Sequence, residues 1–226
     1  MKFNRRGERY HSIQIGDYNT YDDWSLVPTS RPVFQPPKLD SNIVSIPGSA
    51  FPLDLTNIFT RYTGTAPYKP VTSNIEFMVT DKKIPWWGLY SVIKNSIHGK
   101  RLRVVLLDDP DYYYDSLVEV GEWTSGESRS RITISFTPDP YRVEKEAVQR
   151  TVTVNNSASV TLKGSDMPVV PVIAVSAGMS VTFDGTAHSL SAGDNVIDDI
   201  LLLNGDNVLT FSGSGTAVIT YRRGKL

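Results

Sequence analysis

The sequence predicts a mainly β protein in two parts: an N-terminal antiparallel β domain with one packed α-helix over residues 1–140, and a C-terminal β-sandwich or jelly roll over residues 141–226. Three observations lead there. Helical apolar spacing occurs in one segment, Pro85 to His98, while the other apolar runs are short and closed by Gly, Asp, Asn or Pro. Composition shifts near residue 150: residues 1–150 hold 19 Lys/Arg and 18 Asp/Glu, residues 151–226 only 4 and 6, and all four tryptophans lie in the first part. Pro138 and Pro140 stand just before that shift, and two prolines so close fit neither a helix interior nor a central strand, so they mark a junction.

In chain order, Tyr10–Ile15 reads as a strand ended by Gly16 and Asp17. From Asn19 to Asp40 the prolines 28, 32, 36 and 37 argue against regular structure, and such an arm is expected to lie on another surface or subunit. Val71–Val79 alternates as a strand with Val71, Ile75, Phe77 and Val79 on one face, interrupted by Ser73. In the helix, Trp86, Leu89, Tyr90, Ile93 and Ile97 form one apolar stripe; Pro85 suits its first position and Gly99 the residue past its end. Strands follow at Arg101–Leu107, Tyr112–Glu122 and Arg131–Thr137, with Asp108-Asp109-Pro110 as a turn.

The second part reads as seven short strands: Ser159–Leu162, Val169–Val175, Ser180–Phe183, Ala187–Leu190, Ile200–Leu203, Val208–Phe211 and Thr216–Tyr221. Asp184-Gly185, Ala192-Gly193-Asp194 and Asn204-Gly205-Asp206 are the turn signals between them. So many short strands in so few residues suggest a sandwich. Strand parity sends its three aromatics, Phe183, Phe211 and Tyr221, into the core, which argues against an exposed ring for stacking on sugar.

Bulk chemistry narrows the function. At 226 residues, 40% hydrophobic and 21% charged, the chain can bury a sizeable core. A formal net charge of -1 gives no general attraction to nucleic acid or anionic membrane. With no cysteine there is no disulfide, thiolate metal site or cysteine nucleophile. Met1–Tyr10 is polar and basic, unlike a secretory signal, and no apolar run approaches the ~18 residues of a membrane span. Phosphate-loop, nucleophile-elbow and zinc-helix motifs are missing. The three histidines (His11, His98, His188) are far apart; His98 is expected to favour the negative end of the helix dipole. Asp108, Asp109, Asp111 and Asp115 contain a proline and no glycine, unlike a calcium loop, and read as a solvated turn. Tyr112, Tyr113 and Tyr114 put aromatic rings on both faces of a strand, so both faces are expected to be covered. Catalytic, cofactor and metal residues are therefore all predicted as none.

Several stretches together resemble siphophage distal tail proteins. They are Asn19-Thr20-Tyr21-Asp22-Asp23-Trp24-Ser25-Leu26-Val27-Pro28 with Arg31-Pro32 and Pro36-Pro37; Ile46-Pro47-Gly48 with Leu53-Asp54-Leu55-Thr56; Ile97-His98-Gly99-Lys100; Leu106 through Tyr114; Asp139-Pro140-Tyr141; and Leu203 through Leu209 with Phe211, Gly213 and Gly215. Their order covers nearly the whole chain. The resemblance implies a galectin-like C-terminal sandwich and N-terminal domains joined in a homo-hexameric ring, single or stacked. It implies a place at the virion tail tip, after assembly in the bacterial host cytoplasm. It implies as partners the major tail tube protein and a tail-associated, tail-fibre or receptor-binding protein, with DNA passing through the ring but not bound specifically. No membrane, cofactor or enzymatic activity is implied. Asn19, Thr20, Trp24, Leu26 and Arg31 of the arm are the expected interface residues, with Trp87, which lies off the helix stripe. The competing expectation is a carbohydrate-binding module that contacts the host cell wall.

Overall fold

The computed structural model describes residues 11–80, 85–125 and 130–226; Tyr10 and the basic start Met1–Tyr10 lie outside them. Its elements, in order, are β1 (Ile13–Ile15), β2 (Tyr18–Asn19), β3 (Leu26–Pro28), β4 (Lys38–Leu39), β5 (Ile43–Val44), β6 (Leu53–Asp54), α1 (Leu55–Thr63), β7 (Tyr68–Lys69), β8 (Ser73–Val79), α2 (Trp86–Ile97), β9 (Lys100–Leu106), β10 (Tyr112–Ser125), β11 (Ser130–Pro138) and β12 (Arg142–Glu144). After these come β13 (Val148–Lys163), β14 (Val172–Val175), β15 (Met179–Phe183), β16 (Thr186–Leu190), β17 (Gly193–Val196), β18 (Asp206–Tyr221) and β19 (Gly224–Lys225). The chain is mainly β, as its patterning predicts. Contacts divide it into two compact units, residues 1–38 with 68–142, and residues 39–67 with 143–226.

In the first unit, antiparallel strands run in the order β2-β1-β9-β10-β11-β8-β3. Alternation does what the sequence suggests: Ile75 and Phe77 of β8, Val118 and Val120 of β10, and Ile132, Ile134 and Phe136 of β11 point into one core. Helix α2 covers that face through Leu89, Ile93 and Ile97, each buried side chain stabilising by about 1.5–3 kcal/mol. Ser73, which breaks the β8 pattern, is buried because its hydroxyl accepts the Gln35 N–H at 2.8 Å. Pro85 sits one place earlier than expected, as the N-cap. The His98 side chain turns to the sheet: its Nδ1 accepts the Val120 N–H at 2.9 Å, and Gly99 N–H donates to Val118 O at 2.8 Å, so the helix end is tied to β10. Lys100 takes the cationic role, its Nζ donating to Asn95 O (3.1 Å) and Ser96 O (2.7 Å).

The second unit is built on a 16-residue antiparallel pairing of β13 with β18, from Val148↔Tyr221 to Lys163↔Asp206. On its other edge β18 pairs with β15 over its first half and β14 over its second. The changeover lies at Gly213 (φ +134) and Gly215 (φ +140), where a Cβ would meet Met179 Cβ at 2.9 Å and Ser176 Oγ at 2.6 Å. Only glycine tolerates both the angle and the approach. Both halves send side chains into one core, among them Val154, Ile173, Val181, Leu209, Phe211 and Ile219, and so make the sandwich.

Two turns of this unit are one device used twice. In Ser191-Ala192-Gly193-Asp194-Asn195, the Asn195 amide donates to the Ser191 and Gly193 carbonyls while its Oδ1 accepts the Ser191 N–H. In Leu203-Asn204-Gly205-Asp206-Asn207, Asn207 makes the corresponding bonds to Leu203 and Gly205. Each middle glycine has φ +102. Two of the three turn signals are thus Gly-Asp-Asn units whose asparagine replaces the missing ladder partners.

Candidate functional site

The arm, expected to reach another subunit, is anchored in its own unit. Asn19 starts a turn by accepting the Tyr21 and Asp22 N–H groups (2.9 and 3.1 Å), and Asp23 returns the bond by accepting the Asn19 N–H at 2.6 Å. The two residues thus satisfy each other's turn reciprocally, as in a capping box but with the return bond from four residues on rather than three. It turns Trp24 inward, 2% exposed and stacked on Tyr18 at 5.2 Å. Thr20 is buried as well, its hydroxyl accepting the Ile13 N–H at 3.0 Å. Beyond the turn, Leu26, Pro28, Pro32 and Phe34 are buried in an extended segment. Residues 26–28 pair with β8 at the edge of the sheet, where the proline of β3 is tolerated. The prolines make the arm extended rather than unsupported, and its large apolar groups supply the burial that holds it.

Of the expected interface residues, Thr20, Trp24 and Leu26 are therefore inside the chain's own core, and Asn19 is half-buried in the turn. Arg31 is exposed, and its Nε donates to Asp108 at 2.7 Å; His11 Nδ1 lies 2.9 Å from the same carboxylate. Burial pushes the Asp108 carboxyl up, but hydrogen bonds from His11 and Arg31 outweigh it and hold the group below its ordinary value. Asp109 pairs with Arg142 at 2.7 Å. The acidic turn is thus a set of ion pairs rather than a merely solvated loop. Trp87 is 65% exposed and stacks on Trp86 at 3.9 Å, which stacks in turn on Trp123 at 5.9 Å.

The exposed surface that the patterning does not single out lies between Leu39 and Ile58. Ile43 of β5 is 59% exposed, Phe51 80% and Ile58 of α1 53%. Helix α1 lies outside the one helix that apolar spacing predicts, although its start and stop signals are in place: Asp54 caps it by accepting the Asn57 N–H, and Gly64 ends it at φ +69.

In the sandwich, a cavity of about 400 Å³ opens beside the β15–β16 hairpin. Phe183, Thr186 and His188 line it with Asp184, Asp198 and Asp199. Phe211 and Tyr221 are core residues as parity predicts, whereas Phe183 is half-buried and borders the cavity. Among the described residues no Lys or Arg lines it while three aspartates do, so its field disfavours anions. Among the described residues, no group of three or more His, Cys, Asp or Glu is placed to hold a metal ion. No helix of the described residues is long and apolar enough to cross a membrane.

These elements define a two-unit β protein with a β-sandwich in its second unit. No protein-family profile and no curated protein matches the chain. Its fold is similar to the crystal structure of the Dit protein (gp 19.1) of SPP1, at a TM-score of 0.61 and 14% identity, over 93% of this chain and 98% of that one. That protein is presented as a paradigm of the hub adsorption apparatus in phages that infect Gram-positive bacteria. The resemblance in sequence to distal tail proteins is thus met by a likeness of fold over nearly the whole chain.

Proposed function

We propose that this chain is a structural, non-enzymatic hub subunit of a siphophage tail tip. Its copies form a homo-hexameric ring, single or stacked, that joins the tail tube to the receptor-binding apparatus and lets DNA pass. Residues 1–140 supply the ring, and residues 141–226 a galectin-like sandwich that faces the tail-tip partners. The observation that carries this is the correspondence of fold with a phage hub protein over 93% of this chain. The net charge of -1 suits a channel that must not retain nucleic acid. Antibodies against the purified chain should label the distal tip of phage tails in electron micrographs; labelling confined to the head or the mid-tail would refute the role.

A second reading rests on the half-buried Phe183 at the mouth of a polar cavity: residues 141–226 take up a neutral saccharide of the host wall. Calorimetry with neutral mono- and disaccharides tests it, and absence of heat at millimolar ligand would dismiss it.

A further inference from the structure

Leu39, Ile43, Ile46, Phe51 and Ile58, all within twenty residues, are each 48–80% exposed. From Ser41 to Leu53 there is no ionisable side chain. Together with Val44 and Leu53 these exposed side chains sum to on the order of 700 Å², divided between the two faces of the ribbon because Ile43 and Val44 alternate along β5, so a partner must clasp both faces to bury the ~800 Å² per side of a stable interface.

The segment is held at its base and bare at its tip. Among the described residues, ladder β5–β6 joins no other sheet, and a two-stranded ribbon is marginal in water. Asn42 N–H donates to Thr56 Oγ1 at 2.7 Å and Leu55 N–H to Asn42 O at 3.0 Å, fixing the base to the start of α1. At the tip, Ser49 N–H donates to Ile46 O at 3.1 Å and Ser49 Oγ to Phe51 O at 2.8 Å, and Phe51 projects. The shape is thus preorganised, so docking need not order it first.

We propose that the β5–β6 hairpin, with Phe51 as its anchor, is the surface by which one copy of this chain docks on a second copy. This rests on the ring reading given above. A projecting ribbon that is apolar on both faces reaches the area of a stable interface when a neighbour clasps it, and the absence of charge is what homo-oligomer interfaces favour and electrostatically steered partners do not. The arm's own large apolar groups, Trp24 and Leu26, are already used in the chain's core and are not available for this contact. In a closed ring each copy offers one surface and receives on a different one, so the hairpin meets a part of its neighbour other than the neighbour's hairpin.

The test compares the full-length wild type with Phe51→Glu, Ile43→Glu and the conservative Phe51→Leu by sedimentation velocity across a concentration series. Either glutamate should weaken self-association at least about thirtyfold, the scale of an interface hot spot, while Phe51→Leu keeps most of it. The melting temperature of the dissociated chain should not move, because these side chains face water. Glutamate variants that assemble like the wild type overturn the inference and leave the ring reading standing. Variants that still assemble but no longer float with phosphatidylcholine–phosphatidylglycerol vesicles overturn it too, since the hairpin then meets lipid. A wild type that stays monomeric throughout overturns both.

Discussion

Replacing Trp24 with alanine should destabilise the isolated chain by about 3–5 kcal/mol, the cost of removing a large aromatic from a packed core. The indole is 2% exposed, stacks on Tyr18, and follows directly on the Asn19–Asp23 turn that aims it inward. In a chain of this length that loss lowers the melting temperature by about 10 °C or more. The assay is urea denaturation followed by tryptophan fluorescence and far-ultraviolet dichroism, at a concentration where the chain is dissociated. Loss of stability there identifies an intramolecular anchor. If Trp24→Ala left the dissociated chain as stable as the wild type and instead abolished assembly, the arm would belong to a neighbouring copy, and the packing described for residues 19–34 would be wrong.

Asn207→Ala should cost about 1–3 kcal/mol, because its 8% exposed amide satisfies several backbone groups of one turn; the equivalent change at the more exposed Asn195 should cost less, and paired denaturation curves measure the difference. Gly164→Ala drives a methyl group against the Leu203 carbonyl and should reduce the yield of folded protein or lower its melting point by several degrees. Asp108→Asn tests the ion pairs of the β9–β10 turn. The folded carboxyl titrates below its unfolded value, so its contribution is present above about pH 4 and is lost as pH falls through the lower folded value. Because the partners are exposed, the neutral-pH loss should be under about 1 kcal/mol, and the gap from wild type should close in acid.

Helix α2 and strand β8 were legible because burial follows a single period in each, with Leu89, Ile93 and Ile97 at helical spacing and Ile75 and Phe77 at alternate positions. The long β13–β18 pairing was not. Serine, threonine and asparagine dilute its alternation, and Gly213 and Gly215 fall in the gap between the expected strands 208–211 and 216–221, where the one strand in fact passes from one half of the sandwich to the other. The expected strands 208–211 and 216–221 are therefore a single element, and Ile200–Leu203 contributes only the Val169↔Leu202 bridge. Helix α1 was hidden because Leu55–Thr63 carries three threonines and aromatic residues of poor helix propensity, leaving the Asp54 and Gly64 caps as its only clear signals. The arm shows the deeper limit. Trp24 and Leu26 have the chemistry of an interface and of a core alike, and which they serve depends on where the turn at Asn19 sends them. For the same reason the bare hairpin at 43–54 escaped notice: exposure is a property of the fold, and Ile43 looks the same in sequence whether it is covered or not.

The measurement closest to the central claim is the native mass of the full-length chain across a concentration series, by native mass spectrometry with single-particle images of the same sample. A hub subunit should give a discrete closed species, six times 25.1 kDa, seen as rings with an open centre. A single species of 25.1 kDa at every concentration, with no rings in the images, would contradict it.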